Sequence, residues 1–454
     1  LPISMALVLL VPLLMYLRAG CRSKKPVALP INWPILHMFP SFVANLHNMP
    51  AYFTLVLTGS GHNFRAHGPP GTGMRFFVTC DPANIQHIFT TNYPNFPKGA
   101  EFAAIFDIMG GSLFTIDGEP AHRMRAKVKG VLNGPRLVDN LASYCVDKDL
   151  PPMDVAVALD TVMEMGFFRL VMPTSCWKLM RWLNIGPERK LSTAHTVLRS
   201  FIMEMMERWK NNTCHTGNDH SGVDIMPPFL NDPDYAGDEL VLAMIIGYLL
   251  AARDTITATL TWVFYNLAQN PNVVSTIRNE LSPIASCKAA SSASGMVIFE
   301  PEETKSLVYL RAALYETLRL YPPGPIEYKT VADDDVMPSG HKVRSGDTIF
   351  ISVHSMGRME GLWGNDCLNY NPERWLSDDG NLRYVPSHQF LAFNSGPRIC
   401  PGKEIAVMQM KTVIASTLWN FDVELMKGQS IQPKPSCILK MKNGLILKLK
   451  KRQM

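Results

Sequence analysis

One cysteine in a glycine-rich turn constrains this chain more than any other feature. Residues 393–402 read Phe-Asn-Ser-Gly-Pro-Arg-Ile-Cys-Pro-Gly, and an apolar helical pattern follows over about 403–421. Cys400 therefore lies at the N-terminus of a predicted helix, where the helix dipole favours a thiolate over a thiol. The sequence predicts a soft anionic ligand at this position.

A single thiolate limits the kind of metal site that the turn can form. Iron–sulfur clusters and structural zinc need several Cys or His ligands, whereas haem needs only one protein ligand, which can be a cysteine thiolate. In a haem site, Gly396 and Gly402 would let the backbone approach the porphyrin. Arg398 would pair with a propionate, and Phe393 would shield the sulfur from water. The alternative is a buried apolar cysteine in a turn that binds no metal.

The turn resembles the haem-binding signature of the cytochrome P450 family, F-x-x-G-x-R-x-C-x-G, and matches all five specified positions. The resemblance implies a mostly α-helical fold with small β-sheets, a cytochrome P450 fold in which haem b has Cys400 as its axial ligand. It also implies monooxygenation, with electrons that come from NADPH through a reductase. Matching stretches between residues 81 and 449 follow the family's order, so the resemblance covers most of the chain.

An apolar pattern over about 238–270 predicts a long central helix. Within it, Asp254 and Thr255 are costly to bury unless they have a task or a partner. The resemblance supplies a task, because the family's central helix relays protons through such an acid and hydroxyl. The small residues Ala251 and Ala252 would leave room for oxygen over the haem, although the family usually has glycine where Ala252 stands. The alternative is that the Thr255 hydroxyl only bonds back to the preceding helical turn.

A second predicted helix, over about 302–321, places Glu316 and Arg319 on one face. The pair alone means little, but a proline turn follows it and the sequence Asn-Pro-Glu-Arg-Trp lies downstream. In the family, the glutamate and two arginines, here Arg319 and Arg374, form a buried network on the haem side of the scaffold. Because a buried ion network that lacks one partner is costly, we expect the network to be required for haem incorporation.

Basic residues cluster on a predicted helix around residue 125. One interpretation is a docking surface for an acidic electron-donor protein, NADPH–cytochrome P450 reductase or cytochrome b5, with a propionate contact from Arg125. The alternative is a solvated basic face. The family usually has tryptophan four residues before this arginine, where this chain has Ala121. The basic set comprises His122, Arg123, Arg125, Lys127 and Lys129.

The resemblance implies an apolar substrate pocket. Several stretches, among them residues 439–444, resemble a plant clade of midchain alkane and long-chain fatty-acid hydroxylases, so we expect a small-molecule apolar substrate with a long aliphatic chain, an alkane or a fatty acid. Coupling of phenolic rings, as in a relative from alkaloid synthesis, is the alternative. The residues predicted to line the pocket are Phe102, Ile105, Phe106, Ala251, Ile326 and Tyr328.

The N-terminal residues predict attachment to a membrane. Residues 1–17 are apolar and 18–34 are basic and Pro-rich, which predicts an anchor helix, a hinge and then one haem domain over 35–454. The positive charges after the anchor would keep that domain in the cytosol. A secretory signal would carry its charges before the apolar run. We therefore expect a protein of the endoplasmic reticulum membrane that is held in the membrane lipid by this single N-terminal helix.

Composition excludes several classes of protein. A hydrophobic content of 47% with 18% charged residues indicates a large buried core, and the net charge of +5 comes without the aromatic-interleaved basic arrays of a nucleic-acid binder. Nine scattered cysteines without a C-x-x-C pair indicate a reducing compartment. The region 132–226 is shorter than in the family, so a catalytically silent paralogue remains an alternative. A haem carrier without oxygen chemistry is another.

Local patterns predict further elements. They are a strand over 75–80, a helix over 81–91, a loop over 285–295, a strand over 343–353 and a hairpin over 438–449 that turns at Asn443-Gly444.

Overall fold

The computed structural model of the protein describes residues 30–132, 153–215, 237–289 and 296–452. The predicted anchor, most of the hinge, and residues 133–152 and 216–226 of the shortened region lie outside the described residues. Helices dominate what is described, and the strands form small sheets beside them. The predicted fold class, mostly α with small β-sheets, is confirmed.

The helices follow one another through the described ranges, with short 3₁₀ and π segments between some of them. They are α1 Phe39–Ala44, α2 Met49–Gly59, α3 Pro82–Gln86, α4 Gly99–Ile105, α5 Gly118–Leu132, α6 Met153–Val171, α7 Thr174–Leu183, α8 Gly186–His215, α9 Asp238–Leu249, α10 Thr255–Gln269, α11 Pro271–Ala289, α12 Val308–Leu320, α13 Val353–Met356, α14 Glu360–Trp363 and α15 Lys403–Asn420.

The largest sheet has four strands in the order β1-β2-β6-β3, with β2 and β6 parallel and the other neighbours antiparallel. Two antiparallel pairs, β4 with β5 and β7 with β8, complete the described sheets. The strands are β1 Asn63–His67, β2 Arg75–Thr79, β3 Ile326–Thr330, β4 Asp335–Val336, β5 Lys342–Val343, β6 Thr348–Ser352, β7 Phe421–Leu425 and β8 Leu447–Lys451.

The predicted central helix is continuous but changes its winding. A π-helical turn, Leu250–Asp254, joins α9 to α10, and such turns widen a helix locally. The span Glu239–Gln269 is long and apolar enough to cross a membrane, but it packs against α12, α11 and α15 in the protein core. It separates a hydrophobic cluster built on the large sheet, α2, α6 and α8 from a second cluster built on α11, α12 and α15.

Two predicted boundaries were wrong. The helix predicted from residue 302 begins at Val308, where the Glu280 carboxylate accepts hydrogen bonds from the amides of Tyr309 and Leu310, at 2.8 and 2.9 Å. The strand predicted over 343–353 is two strands with a turn between them, since the Asp347 carboxylate accepts the Arg344 amide.

Residues 285–289, predicted as loop, continue α11. Residues 438–449 do not form the predicted hairpin, although Gly444 does turn the chain with a φ of +70°. Strand β8 pairs instead with β7, which follows α15. Strand β7 extends directly from α15 and has the same length as β8, so it offers β8 a matching edge for pairing.

Candidate active site

The glycine-rich turn forms two 3₁₀ segments before α15, Leu391–Phe393 and Gly396–Arg398. The Cys400 amide donates to the Phe393 carbonyl at 2.8 Å, which closes the turn over the cysteine. Gly396 has a φ of +56°, and a Cβ there would lie 2.0 Å from the Phe89 carbonyl oxygen. Only glycine fits this position. A Cβ at Gly402 would meet its nearest atom at 3.9 Å, so chain packing does not require glycine there.

The Cys400 thiol is half-buried at the entrance to α15. Burial raises its pKa above the ordinary value, and this effect outweighs a hydrogen bond from the Gly402 amide and the charges of Arg125 and Lys403. The helix N-terminus therefore does not by itself produce the thiolate that the sequence predicted. Coordination to a metal deprotonates a cysteine outright, so a bound iron would supply what the dipole does not.

Two arginines, Arg398 and Arg125, hold the glycine-rich turn through hydrogen bonds. Arg398 is buried and donates to the Asp117 carboxylate at 2.5 Å and to the carbonyls of Ile116 and Leu113. Arg125 donates to the Ile399 carbonyl, and its pKa is lowered by burial and by the nearby charge of Arg398.

Lys329 was missed from the sequence and is the most informative member of this group. It lies on β3 with no exposed surface, and its ammonium has no hydrogen-bond partner among the described residues. Desolvation lowers its pKa to about 7, with further influence from Glu327, Lys98, Arg398 and Asp117. The one signal in the sequence is a lysine at an inward position of a short strand that directly follows the proline turn.

The charges of this cluster do not balance. When Lys329 is protonated, the four cations of the cluster face two carboxylates, which leaves two positive charges without a protein counterpart in the described structure. A dianionic ligand would neutralise them, and buried charges of this kind need such a partner. The cluster consists of Lys98, Arg125, Lys329, Arg398, Glu327 and Asp117.

The π-helical turn of the central helix presents small residues and one buried acid. Ala252 is exposed although much of this helix is buried, and Ala251 is half-buried. Asp254 has no exposed surface, and its Oδ2 has no hydrogen-bond partner among the described residues. The Thr255 hydroxyl donates to the Ala251 carbonyl at 2.6 Å, the back-bond foreseen as the alternative, and its oxygen remains free to accept.

Glu316 lies at the centre of a buried hydrogen-bond network. Its two carboxylate oxygens accept from Nε and Nη2 of Arg319 at 2.7 Å, from Nε of Arg374 at 2.9 Å and from the indole of Trp375 at 3.0 Å. Arg319 also donates to the carbonyls of Gly357, Cys367 and Asn369. All three predicted members are therefore in direct contact, and the carboxylate is fully paired.

An apolar cavity opens between the large sheet, α6 and residues 433–439. It contains about 880 Å³ of space free of atoms, part of it continuous with solvent. Among the predicted pocket residues, Ile326 lines this cavity. The other five predicted residues, Ala251 among them, do not line it. Phe102 packs on Phe106 and Tyr328, with ring centroids 4.7 and 5.2 Å apart. The sequence did not point to the phenylalanines that line the cavity, which are Phe39, Phe42, Phe53, Phe76, Phe167 and Phe350.

Comparison with known proteins agrees with this geometry. The family profile described as Cytochrome P450 matches residues 146–449. The chain belongs to the cytochrome P450 family. Noroxomaritidine synthase 1 of Narcissus pseudonarcissus is 34% identical over 95% of this chain and 93% of its own length. Alkane hydroxylase MAH1 of Arabidopsis thaliana is 33% identical over 93% and 94%, and Cytochrome P450 86B1 of the same plant is 32% identical over 94% and 86%.

Cytochrome P450 enzymes are monooxygenases that hold haem through a cysteine thiolate and receive electrons from NADPH through a reductase. The residues present in this cytochrome P450 fit that cofactor. Cys400 is a lone thiol, and no group of three or more His, Cys, Asp or Glu residues suited to a metal occurs in the described ranges. The two surplus positive charges of the cation cluster would balance the two negative charges of the haem propionates. When bound, haem supplies the redox-active iron that activates oxygen.

Proposed function

We propose that this cytochrome P450 hydroxylates a long aliphatic chain, an alkane or a fatty acid. The observation that carries the proposal is the apolar cavity described above, which six phenylalanines line. A flexible methylene chain gains about 0.8 kcal/mol for each CH₂ group that it buries in such a site. The relatives named alkane hydroxylase MAH1 and Cytochrome P450 86B1, each covered over most of its length, support the same substrate class.

The residues of the site take separate roles in this proposal. Cys400 is the protein ligand of the haem iron, with Phe393 beside it. Lys329, Arg125 and Arg398 hold the propionates, and Gly396 lets the turn pack closely against Phe89. This division follows from charge, because the cations of the cluster lack two counter-ions and the turn offers one thiol.

Proton delivery is assigned to the central helix. The Oδ2 atom of Asp254 is buried and unpaired in the described structure, so it can accept and release a proton at a fixed position. The hydroxyl of Thr255 lies one residue further along the helix, and its oxygen can accept a hydrogen bond while its proton is held by Ala251. Ala251 and Ala252 leave space beside these two groups.

The basic residues on the surface of α5 suggest a redox partner. On α5, His122, Arg123 and Lys129 are exposed, whereas Arg125 points inward and is half-buried. An exposed basic face of this kind attracts an acidic redox partner, the reductase or cytochrome b5, by long-range electrostatics. Anchoring to the endoplasmic reticulum membrane by residues 1–17 belongs to the same proposal, with the haem domain in the cytosol.

A second candidate function is oxidative coupling of phenols. The similarity to noroxomaritidine synthase 1 favours it, and so do the six phenylalanines of the cavity, since aromatic rings stack on one another. A phenol also needs a hydrogen-bond partner for its hydroxyl in an apolar site, and polar groups are few among the lining residues. The aliphatic chain is therefore the better match.

The test combines a spectrum with product analysis. Wild-type protein and Cys400→Ser are expressed in microsomes with reductase, and each is offered an alkane, a fatty acid and a phenolic amine. We expect a thiolate-type carbon monoxide difference spectrum and hydroxylated aliphatic products from the wild type alone. Identical spectra from the two proteins would refute the ligand assignment, and coupled phenols without aliphatic products would select the second candidate.

A further inference from the structure

Lys440, in the clade-like stretch 439–444, joins two carboxylates from distant parts of the chain. Its ammonium lies 2.9 Å from Oδ1 of Asp254 on the central helix and 2.7 Å from Oδ1 of Asp160 on α6. The guanidinium of Arg253 contacts the same two oxygens, at 2.5 and 3.1 Å. Two carboxylates and two cationic side chains thus form a closed ring that connects α6, the central helix and the C-terminal segment.

The segment that carries Lys440 is held firmly in place. The carbonyl of Leu439 accepts the indole hydrogen of Trp262, on α10, at 2.8 Å, and the Leu439 amide donates to the Pro323 carbonyl at 2.9 Å. Leu439 itself is buried against Trp262. Because its neighbour is fixed on both sides of the backbone, Lys440 reaches the ring from a defined position and needs little ordering to bind there.

The two carboxylate oxygens of Asp254 have different contacts in the ring. Oδ1 accepts a hydrogen bond from Arg253 and forms an ion pair with Lys440, whereas the buried Oδ2 has no hydrogen-bond partner among the described residues. A buried carboxylate without a counter-ion is costly, and the two cations provide one. Asp160 shows the strength of this environment. Burial alone would raise the pKa of Asp160, but Lys440 and Arg253 outweigh it and hold that pKa below the ordinary value.

We propose that Lys440 is a positioning residue for proton delivery, which fixes Oδ1 of Asp254, with Asp160 as its second counter-ion, so that Oδ2 alone exchanges protons. The proposal rests on the role given to Asp254 in the proposed function. Lys440 does not touch the reacting atoms in this scheme. It acts by orienting the acid and by separating the negative charges of Asp160 and Asp254.

The test replaces Lys440 with methionine, which keeps the length of the side chain and removes its charge. The matched control is Lys442→Met, which alters an exposed lysine two residues away on the same segment. The measurements are haem content, product formed per NADPH consumed and peroxide released. We expect Lys440→Met to lower product per NADPH by about fivefold or more at normal haem content, and the control to match the wild type.

A second substitution separates positioning from simple packing. With Lys440 gone, Asp160 and Asp254 repel each other across the ring, so adding Asp160→Asn should recover at least about twofold of the lost product yield. Lys440→Arg, which keeps the charge, should retain at least about half of the wild-type yield. If Lys440→Met lowers haem content and thermal stability but leaves product per NADPH unchanged, or if Asp160→Asn gives no recovery, the proposal is overturned.

A substrate-independent measurement keeps this inference separate from the proposed substrate class. Thermal unfolding of Lys440→Met, Asp254→Asn and the double variant should give non-additive midpoints, because the two residues share one contact. Additive midpoints would overturn the inference. A wild type that forms no aliphatic product would instead overturn the substrate proposal, and the unfolding cycle would still decide this one. Should Lys440→Met fail to hold haem, Lys440→Gln takes its place in each comparison.

Discussion

Replacing Glu316 with alanine should prevent the protein from holding haem. The carboxylate is fully buried and accepts hydrogen bonds at 2.7–3.0 Å from Arg319, Arg374, Trp375 and the Asn371 amide. Alanine would leave Arg319 buried without a carboxylate, whereas Arg374 keeps Asp366. Breaking a buried ion pair in this way costs about 3–5 kcal/mol, out of a total stability of about 5–15 kcal/mol.

A loss of that size lowers the ratio of folded to unfolded protein between about a hundredfold and a few thousandfold. Haem content per protein and the midpoint of urea unfolding measure it directly. The matched control is Glu373→Ala. Glu373 is exposed, and its carboxylate accepts a hydrogen bond from the hydroxyl of Tyr309. We expect the control to keep its haem. Full haem content and an unchanged midpoint in Glu316→Ala would refute the reasoning.

Two further predictions concern the turn and the cation cluster. Gly396→Ala should lose haem because its Cβ would meet the Phe89 carbonyl at 2.0 Å, while Gly402→Ala should fold, and equal haem content in both would contradict this. The pKa of Lys329 is about 7 in the protein without haem, and a bound propionate would raise this pKa. The ion pair between Lys329 and the propionate therefore contributes fully to haem affinity below about pH 7, and this contribution is lost as pH rises through the raised pKa. Haem dissociation should therefore accelerate above pH 7 in the wild type but not in Lys329→Met, and identical pH profiles would count against the assignment.

Most of the site residues that the sequence predicted are encoded within a few residues of one another, whereas Arg374, 58 positions from Glu316, was predicted through the family resemblance. Cys400 and its glycines occupy one turn, and Asp254 and Thr255 are adjacent on a helix whose apolar pattern is long and regular. Glu316 and Arg319 are one helical turn apart. Short-range spacing fixes such groups relative to each other before any tertiary contact forms, so the sequence pattern alone indicates that they lie together.

The parts that the sequence missed depend on contacts between distant segments. Lys329 belongs to the cation cluster only because Arg398 and Asp117 lie near it in the fold, and nothing within its own strand shows this. Lys440 likewise meets Asp254 across 186 positions of the chain. The start of α12 is set by Glu280, which is 29 residues away from the amide it accepts. No local pattern contains these distances.

The pairing of buried charges distinguishes scaffold from working site in this protein. Around Glu316, protein groups satisfy the whole carboxylate, so the network needs no ligand and its task is to hold the fold. By contrast, the ammonium of Lys329 lies over the rings of Phe89 and Tyr93 but has no hydrogen-bond partner among the described residues, and neither does Oδ2 of Asp254 in the central helix. A buried polar atom without a hydrogen-bond partner is unfavourable in the protein alone and becomes favourable when a ligand or a proton pairs with it. The two incomplete sites therefore lie where haem and protons are proposed to bind, and the complete one lies where only rigidity is required.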